Sequence, residues 1–510
     1  MDQMIEEKVK TIDTLVKIIA DLKKKGKKVI HCHGVFDLLH PGHLRHFQAA
    51  KEKGDILVVT ITPDEYVNKG PGRPIFNQKL RAESIAAIEC VDFVAVNRWP
   101  TAVEAIRLLK PDVYAKGREY FHRGDDITGK IYEEEECVKS VGGVIYFTDE
   151  ISFSSTNLIN LHFNVFPDET KEYLDRFKKR HSAHSIIGYL KKIKNMKILV
   201  IGDAIIDEYH YCMAMGKSQK DDIIAAKYAH REVFNGGALA VASHAANFCD
   251  NVYLITVLGK ENSYEDFIRQ SLKKNLKYKF FMRDNAPTVV KRRFLDPSFL
   301  NKMLEIYYIN DNRIDDSLEK KINLYLNECI GDYDLVIAAD FGHGLITDNL
   351  IKTLCEKSRF LAVTAQTNSA NRGFNLVIKY PRADYICIDE PELRLAIHDR
   401  FSDLRDVIRE LTKEVNCGHI VITRGHHGSM GYFTKKGFIS VPVFSEEVLD
   451  RMGAGDAFLS LTSPLACLGC PFDVINFTGN AVGALEVLIV GNRSFMEPAP
   501  LYKYITTLLK

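Results

Sequence analysis

The 510-residue chain reads as an α/β protein with two parallel sheets in series, and three observations carry that reading. Short apolar runs alternate with segments of helical period, the βαβα pattern of a parallel sheet. The alternation occurs in two sets, each opening on an apolar run that leads into a glycine-marked turn. A charged, glycine-poor stretch separates the sets, and the chain is too long for one ordinary core.

Residues 9–25 show helical apolar spacing (Ile12, Leu15, Val16, Ile18, Ile19, Leu22), which Gly26 closes. Strands are then expected from Val29 and over residues 56–61, 93–96, 112–115 and 143–147. A helical connector follows Pro167 and runs to about Asn195. The second set of strands is expected over residues 197–203, 252–255, 335–339, 360–363, 385–388 and 419–423. This predicts a first domain over 1–164, a connector over 165–195 and a second domain over 196–510. Neither a repeat nor a low-complexity tract is present.

With 46% hydrophobic and 26% charged residues the composition is that of a globular protein. The 68 basic residues balance 67 acidic ones to a net charge of +1, which gives no electrostatic case for nucleic acid or an anionic membrane as partner. The basic run Lys23–Lys28 reads as the solvated end of a helix. The first residues lack the apolar core of a secretory signal and no apolar run spans a bilayer, so a cytoplasmic location is expected. Eleven cysteines form no disulfide framework, and Cys467 and Cys470 read as buried thiols.

The string Gly34-Val35-Phe36-Asp37-Leu38-Leu39-His40-Pro41-Gly42-His43 follows the first apolar run. It places two imidazoles at a predicted helix start, where Gly34 and Gly42 let backbone approach a polyphosphate. Attack on the α-phosphorus of a nucleoside triphosphate needs positioning and charge stabilisation rather than a protein nucleophile, and that predicts nucleotidyl transfer. A second string, Gly453-Ala454-Gly455-Asp456-Ala457-Phe458, sets glycines ahead of an aspartate at a helix start. Its backbone forms an anion cradle, and Asp456 is placed to take the proton of an attacking hydroxyl.

Residues 8–161 resemble the cytidylyltransferase-like nucleotidyltransferases, particularly the adenylyltransferase domain of bifunctional heptose-phosphate kinase/adenylyltransferases. The motifs are the histidine string, Gly72-Arg73-Pro74-Ile75, Arg81, Lys110–Gly117 and Ser154-Ser155-Thr156-Asn157. The resemblance implies that His40 and His43 bind the triphosphate and stabilise the transition state. Gly34, Phe36, Gly42, Lys116, Gly117, Ser155 and Thr156 would border the nucleotide. Asp37 and Asp64 are candidates for contacting sugar phosphate or magnesium, or for capping helices.

From residue 196 the chain resembles the ribokinase-like (PfkB) sugar kinases, through Gly202-Asp203, Asn235-Gly236-Gly237, Thr423–Gly428 and the Asp456 string. This implies Asp456 as catalytic base, with Gly453, Ala454 and Gly455 as anion hole. Thr423, Gly425 and Gly428 would border adenine nucleotide. Asp389 and Glu392 would organise magnesium through water, while Asp207, Gly236, Gly237, Lys291 and Arg293 would meet the acceptor. The two halves stand in the reverse order to the heptose enzymes. Departures fall on the acceptor side: Ala240 replaces an asparagine, Ser369–Asn375 replaces an Asp-Pro-Lys segment, and Arg451 replaces a threonine.

The function implied is a bifunctional sugar (phosphate) kinase and sugar 1-phosphate nucleotidyltransferase making an ADP-heptose-like activated sugar for a surface glycan. It would use ATP or CTP with magnesium and form a homodimer. The alternative is a nucleotidyltransferase whose second domain binds sugar or oligomerises without catalysis.

Overall fold

Residues 2–67, 69–70, 72–117, 130–148, 166–298 and 300–510 are described by a computed structural model of the chain. It divides into two units, Met1–Pro167 with Tyr502–Lys510, and Asp168–Leu501.

In the first unit β1 (Val29–Gly34), β2 (Ile56–Ile61), β3 (Phe93–Val96), β4 (Val113–Gly117) and β5 (Val144–Thr148) form a parallel sheet of order β3-β2-β1-β4-β5. Both faces are covered. Ile30, Cys32, Leu57 and Val59 pack with Phe47 and Ile85, while Val29, Val58 and Ala95 pack with Ile12, Leu15, Ile19 and Leu109. Burial on both sides makes these strands apolar runs rather than alternating ones. The first helix of helical period is Ile12–Lys24, shorter than its pattern because the Thr11 side chain caps the amide of Thr14. Strand order reverses between β1 and β4, so their carboxyl ends flank the crevice where such sheets bind ligands.

The second unit adds β6 (Lys197–Gly202), β7 (Ala204–Lys217), β8 (Ile224–Gly237), β9 (Asn251–Glu261), β10 (Leu276–Pro287), β11 (Val289–Leu295), β12 (Lys302–Tyr308), β13 (Leu335–Asp340), β14 (Leu361–Ala365), β15 (Arg382–Asp389), β16 (Asn416–Thr423), β17 (Ser429–Phe433) and β18 (Gly437–Val441). The large sheet has the order β10-β9-β6-β13-β14-β15-β16-β17-β18, and a four-stranded sheet has the order β12-β11-β7-β8. All six strands expected from the sequence are in the large sheet. Strands β7 and β8 escape the sequence reading because their outer halves face solvent and carry no buried face to impose a period.

The described residues from 166 to 195 hold two α-helices, Asp168–Lys178 and Ala183–Lys192. The stripe Thr170, Tyr173, Leu174 and Phe177 is buried. Thr170 donates to Val443 O at 3.1 Å and Phe177 stacks on Phe477, so this stretch packs into the second unit. The chain's last residues depart from the expected domain limit. Tyr502–Lys510 pack in the first unit, where Tyr504, Ile505 and Leu508 are buried at helical spacing. All eleven cysteines are free, and burial pushes the Cys467 and Cys470 thiols up to about 12 and about 11.

Candidate active sites

In the first unit the chain leaves β1 at Gly34 and turns through Phe36, whose φ of 49° is left-handed. That turn folds the Phe36 ring back over Gly34, where a Cβ would stand 2.9 Å from it. Glycine at 34 therefore makes room for Phe36 as well as for a ligand. The helix Pro41–Lys51 starts with His40 in the cap position, extended and making no side-chain cap. Both imidazoles of the string point the same way: the His40 and His43 rings stack, and Phe36 meets His43 edge-on at 5.3 Å. Burial, then His40, His46 and Lys69, brings the His43 pKa down to about 3. His43 is therefore neutral at physiological pH, and its Nδ1 is buried with no hydrogen-bond partner among the described residues.

Other expected residues of this unit are engaged by the protein itself. Asp37 Oδ1 accepts the amides of Ile75 and Phe76 at 2.8 and 3.1 Å, with Arg73 3.8 Å from its other oxygen. Asp64 accepts from the Gln78 amide at 2.9 Å and pairs with Arg81. Arg81 is fully buried and ties Asp64 to the carbonyls of Val35, Thr62 and Phe76. Both aspartates thus organise the loops of the crevice. Lys116 Nζ lies 2.8 Å from Glu134 Oε2, which also accepts from Tyr114 OH at 3.0 Å, all three being buried. Gly117 ends β4 beside it. Ser155 and Thr156 lie outside the described residues. Motif reading missed Lys69, a cation near His43 and Asp37 whose pKa burial, foremost, lowers to about 8. The signal was its place just ahead of Gly72-Arg73.

In the second unit Gly453 (φ 84°) caps the helix Ala454–Cys467. A Cβ there would overlap Asn492 Oδ1, so the turn requires glycine both conformationally and sterically. Asp456 follows in the first helical turn. Burial raises its pKa to about 7, Asp207 adds to the rise, and Lys291 opposes it. Parallel pairing sets Lys291 beside Asp207 and Arg293 beside Tyr209. Spaced two apart on β11, Lys291 and Arg293 share a face. Arg293 bridges Asp207 and Glu305, and a Cβ on Gly236 would overlap Asp207 Oδ2. The φ of Gly237 is 57°. Two buried cations therefore stand with Asp207, and Lys291 acts on Asp456 as well.

Thr423 ends β16, and Gly425 and Gly428, at φ 56° and 77°, shape the turn after it. Pairing sets Thr423 beside Asp389 on β15. Asp389 and Glu392 form a capping box: Asp389 Oδ1 accepts from Glu392 N at 2.8 Å and Glu392 Oε2 from Asp389 N at 3.0 Å. Glu392 Oε1 also takes the Thr367 amide. Three of the four carboxylate oxygens are thereby committed to backbone, leaving Asp389 Oδ2. That donor set fits magnesium only through its water shell, and no cluster of three or more His, Cys, Asp or Glu among the described residues suits direct ligation. Ala240 is fully buried. Asn371, in the altered segment, donates to the carbonyls of Phe341 and Gly342. His343, buried with neither ring nitrogen hydrogen-bonded among the described residues, and Glu486, buried 3.7 Å from His244 Nε2, belong to no motif and were invisible to spacing.

Two family models match the chain, Cytidylyltransferase-like over residues 31–161 and pfkB family carbohydrate kinase over residues 195–497. Similar curated proteins include the bifunctional protein HldE of Trichlorobacter lovleyi, 36% identical over 169 residues, or 32% of this chain and 33% of that protein. The bifunctional protein HldE of Aliarcobacter butzleri is 39% identical over 138 residues, 26% and 29% of the two chains. The chain thus spans about a third of the length of the curated relatives it matches, in its N-terminal part. Among solved structures, phosphofructokinase-2 from Escherichia coli in complex with potassium gives a TM-score of 0.51 at 12% identity, covering 62% of this chain and 100% of that one. The same enzyme in complex with fructose-6-phosphate gives 0.50 at 11% identity with the same coverage. At that identity the likeness is one of fold alone.

Proposed function

Since the chain belongs to the pfkB family of carbohydrate kinases, we propose that its second unit passes the γ-phosphoryl group of ATP to a sugar phosphate. The first unit, which carries the cytidylyltransferase-like match, joins a sugar 1-phosphate to a nucleotide and releases pyrophosphate. The product on this reading is an ADP-heptose-like activated sugar for a surface glycan, made in the cytoplasm by a homodimer. No helix of the described residues is long and apolar enough to cross a membrane.

The observation that carries the kinase half is Asp456 in the first turn of its helix, with Lys291 and Asp207 as its charged neighbours. A carboxylate with a pKa of about 7 is substantially ionised at neutral pH and takes the proton of the acceptor hydroxyl as that oxygen attacks phosphorus. The helix-start amides after Gly453 meet the negative charge that develops on the transferring group. Arg293 is held by Asp207 and Glu305, which leaves the Lys291 ammonium, beside Asp207 and near Asp456, as the cation that would meet a phosphorylated acceptor. Magnesium, when bound, would screen the polyphosphate charge, with Asp389 reaching it through water. In the first unit His40 and the neutral His43 offer ring N–H donors at a helix start to the triphosphate, and Lys69 adds a cation.

The buried methyl of Ala240 favours a second reading, in which the second unit binds sugar phosphate without turnover. Pyrophosphate release with ATP and CTP against sugar 1-phosphates, heptose 1-phosphate included, tests the transferase. ADP formation with free and phosphorylated sugars tests the kinase, and its absence alongside sugar-phosphate binding would select the second reading.

A further inference from the structure

The loop that brings Lys69 to His43 and Arg73 to Asp37 is tied down at two places. At one end Asp37 takes the amides of Ile75 and Phe76 and faces Arg73. At the other end the tie comes from residues 502–510. Gly70 holds a left-handed φ of 95°, and a Cβ on it would overlap Cδ2 and Cε2 of the Tyr504 ring. That ring is 1% exposed, on a helical stripe with buried Ile505 and Leu508. Glycine is the residue with the most backbone freedom, so a turn at Gly70 needs an outside surface to select one conformation. The Cδ2–Cε2 side of the Tyr504 ring is that surface.

Lys69 stands among Arg73 and Lys503, with Asp37 as the opposing carboxylate. Lys69 also acts on His43, whose Nδ1 has no hydrogen-bond partner among the described residues, and a cation beside such a nitrogen suits a phosphate ligand.

We propose that Tyr504 is a positioning residue of the nucleotidyl-transfer site, clamping the Gly70 turn so that Lys69 and Arg73 meet the phosphates in register with His40 and His43. The proposal rests on the nucleotidyl-transfer reading of the first unit. Tyr504 touches no reacting atom; it acts through the loop.

The test uses the full chain as wild type, Tyr504→Ala, Tyr504→Phe and Gly70→Ala. Three quantities are read: binding of inorganic pyrophosphate, kinetics of pyrophosphate release, and hydrogen exchange at the Ile75 and Phe76 amides. ADP formation by the second unit serves as internal control. Tyr504→Ala is expected to weaken pyrophosphate binding and raise the KM for the triphosphate about tenfold, with kcat changed far less. It should also speed exchange at both amides and leave ADP formation unaltered, and Tyr504→Phe should restore all three readings. Gly70→Ala attacks the same contact from the loop and should reproduce the KM rise even where Tyr504→Ala fails to fold.

Binding within twofold of wild type together with unchanged exchange in a folded Tyr504→Ala would overturn the clamp, as would failure of Tyr504→Phe to restore it. A wild type that neither binds nor releases pyrophosphate would sink the nucleotidyl-transfer reading. Hydrogen exchange would still decide separately whether Tyr504 holds the loop.

Discussion

His40 stacks on His43 with ring centroids 3.8 Å apart and planes 23° from parallel. Two imidazoles at that separation repel one another when both are protonated, and burial keeps His43 in its neutral form. Replacing either histidine by alanine should lower the turnover of pyrophosphate release by on the order of 10²–10³-fold. The melting temperature should change little, since neither ring is a packing centre. Rates unchanged within threefold would remove the pair from the chemistry.

Acid should weaken the first unit well before its carboxylates are protonated. His31 and His43 are brought down to about 3 and His46 to about 4, burial being the first cause in each. In the unfolded chain they titrate near ~6.5. Below that pH the unfolded state binds protons that the folded state refuses. Stability is therefore full above about 6.5 and declines as pH falls toward the folded values, by up to ~1.4 kcal/mol per pH unit for each group. Thermal melting between pH 7.5 and 5 measures this, and a flat profile over that range would contradict the assignment.

The rising limb of the kinase pH–rate profile should sit near 7, because Asp456 must lose its proton to act and its pKa is about 7. Lys291 opposes that rise and Asp207 adds to it, so Lys291→Met should move the limb to higher pH and Asp207→Asn to lower pH. Asp456→Asn should abolish phosphoryl transfer and leave pyrophosphate release intact. Parallel loss of both activities would refute independent sites.

Glycine at 453 is required twice over, by φ and by the Asn492 side chain behind it. Gly453→Ala should cost about 1–3 kcal/mol of stability and at least tenfold in phosphoryl transfer, read by melting and by ADP formation. Gly455, with open space around it, should accept alanine with a much smaller loss of stability.

Lys116 and Glu134 are a buried ion pair that Tyr114 OH completes. Removing one partner strands the other charge, so Lys116→Met should cost about 3–5 kcal/mol. Lys116→Met combined with Glu134→Leu should recover much of that loss in a melting experiment. Pyrophosphate release separates the two roles of Lys116: if the double variant regains activity along with stability, the lysine serves the fold and not the nucleotide.

The features legible in the sequence are local ones. Gly34 to His43 sets strand, turn and helix start within a few residues, and Gly453 to Asp456 sets a turn and a helix start, so spacing alone announces both helix N-termini. Side-chain partners were beyond its reach. Nothing near Phe36 announces a left-handed φ that sends its ring over Gly34, and Asp37 turns inward to amides some forty residues on. The pair Asp389 and Glu392 satisfies a metal motif and a capping box equally well at the same spacing, and the structure shows the capping box. Lys291 and Arg293 converge on Asp207 through the register of β7 and β11, a property of pairing that no single strand carries.

The assignment of Tyr502–Lys510 to the first unit also orders the birth of the protein. Residues up to Pro167 leave the ribosome early, but at ~5–20 residues per second the segment that seals Gly70 emerges roughly 20–70 s later. Throughout that interval the nascent first unit lacks Tyr504, Ile505 and Leu508, and the surface that these buried side chains cover stays open. A ribosome stalled inside the second unit would present a transferase with its phosphate loop still unset, and chaperone demand should peak there.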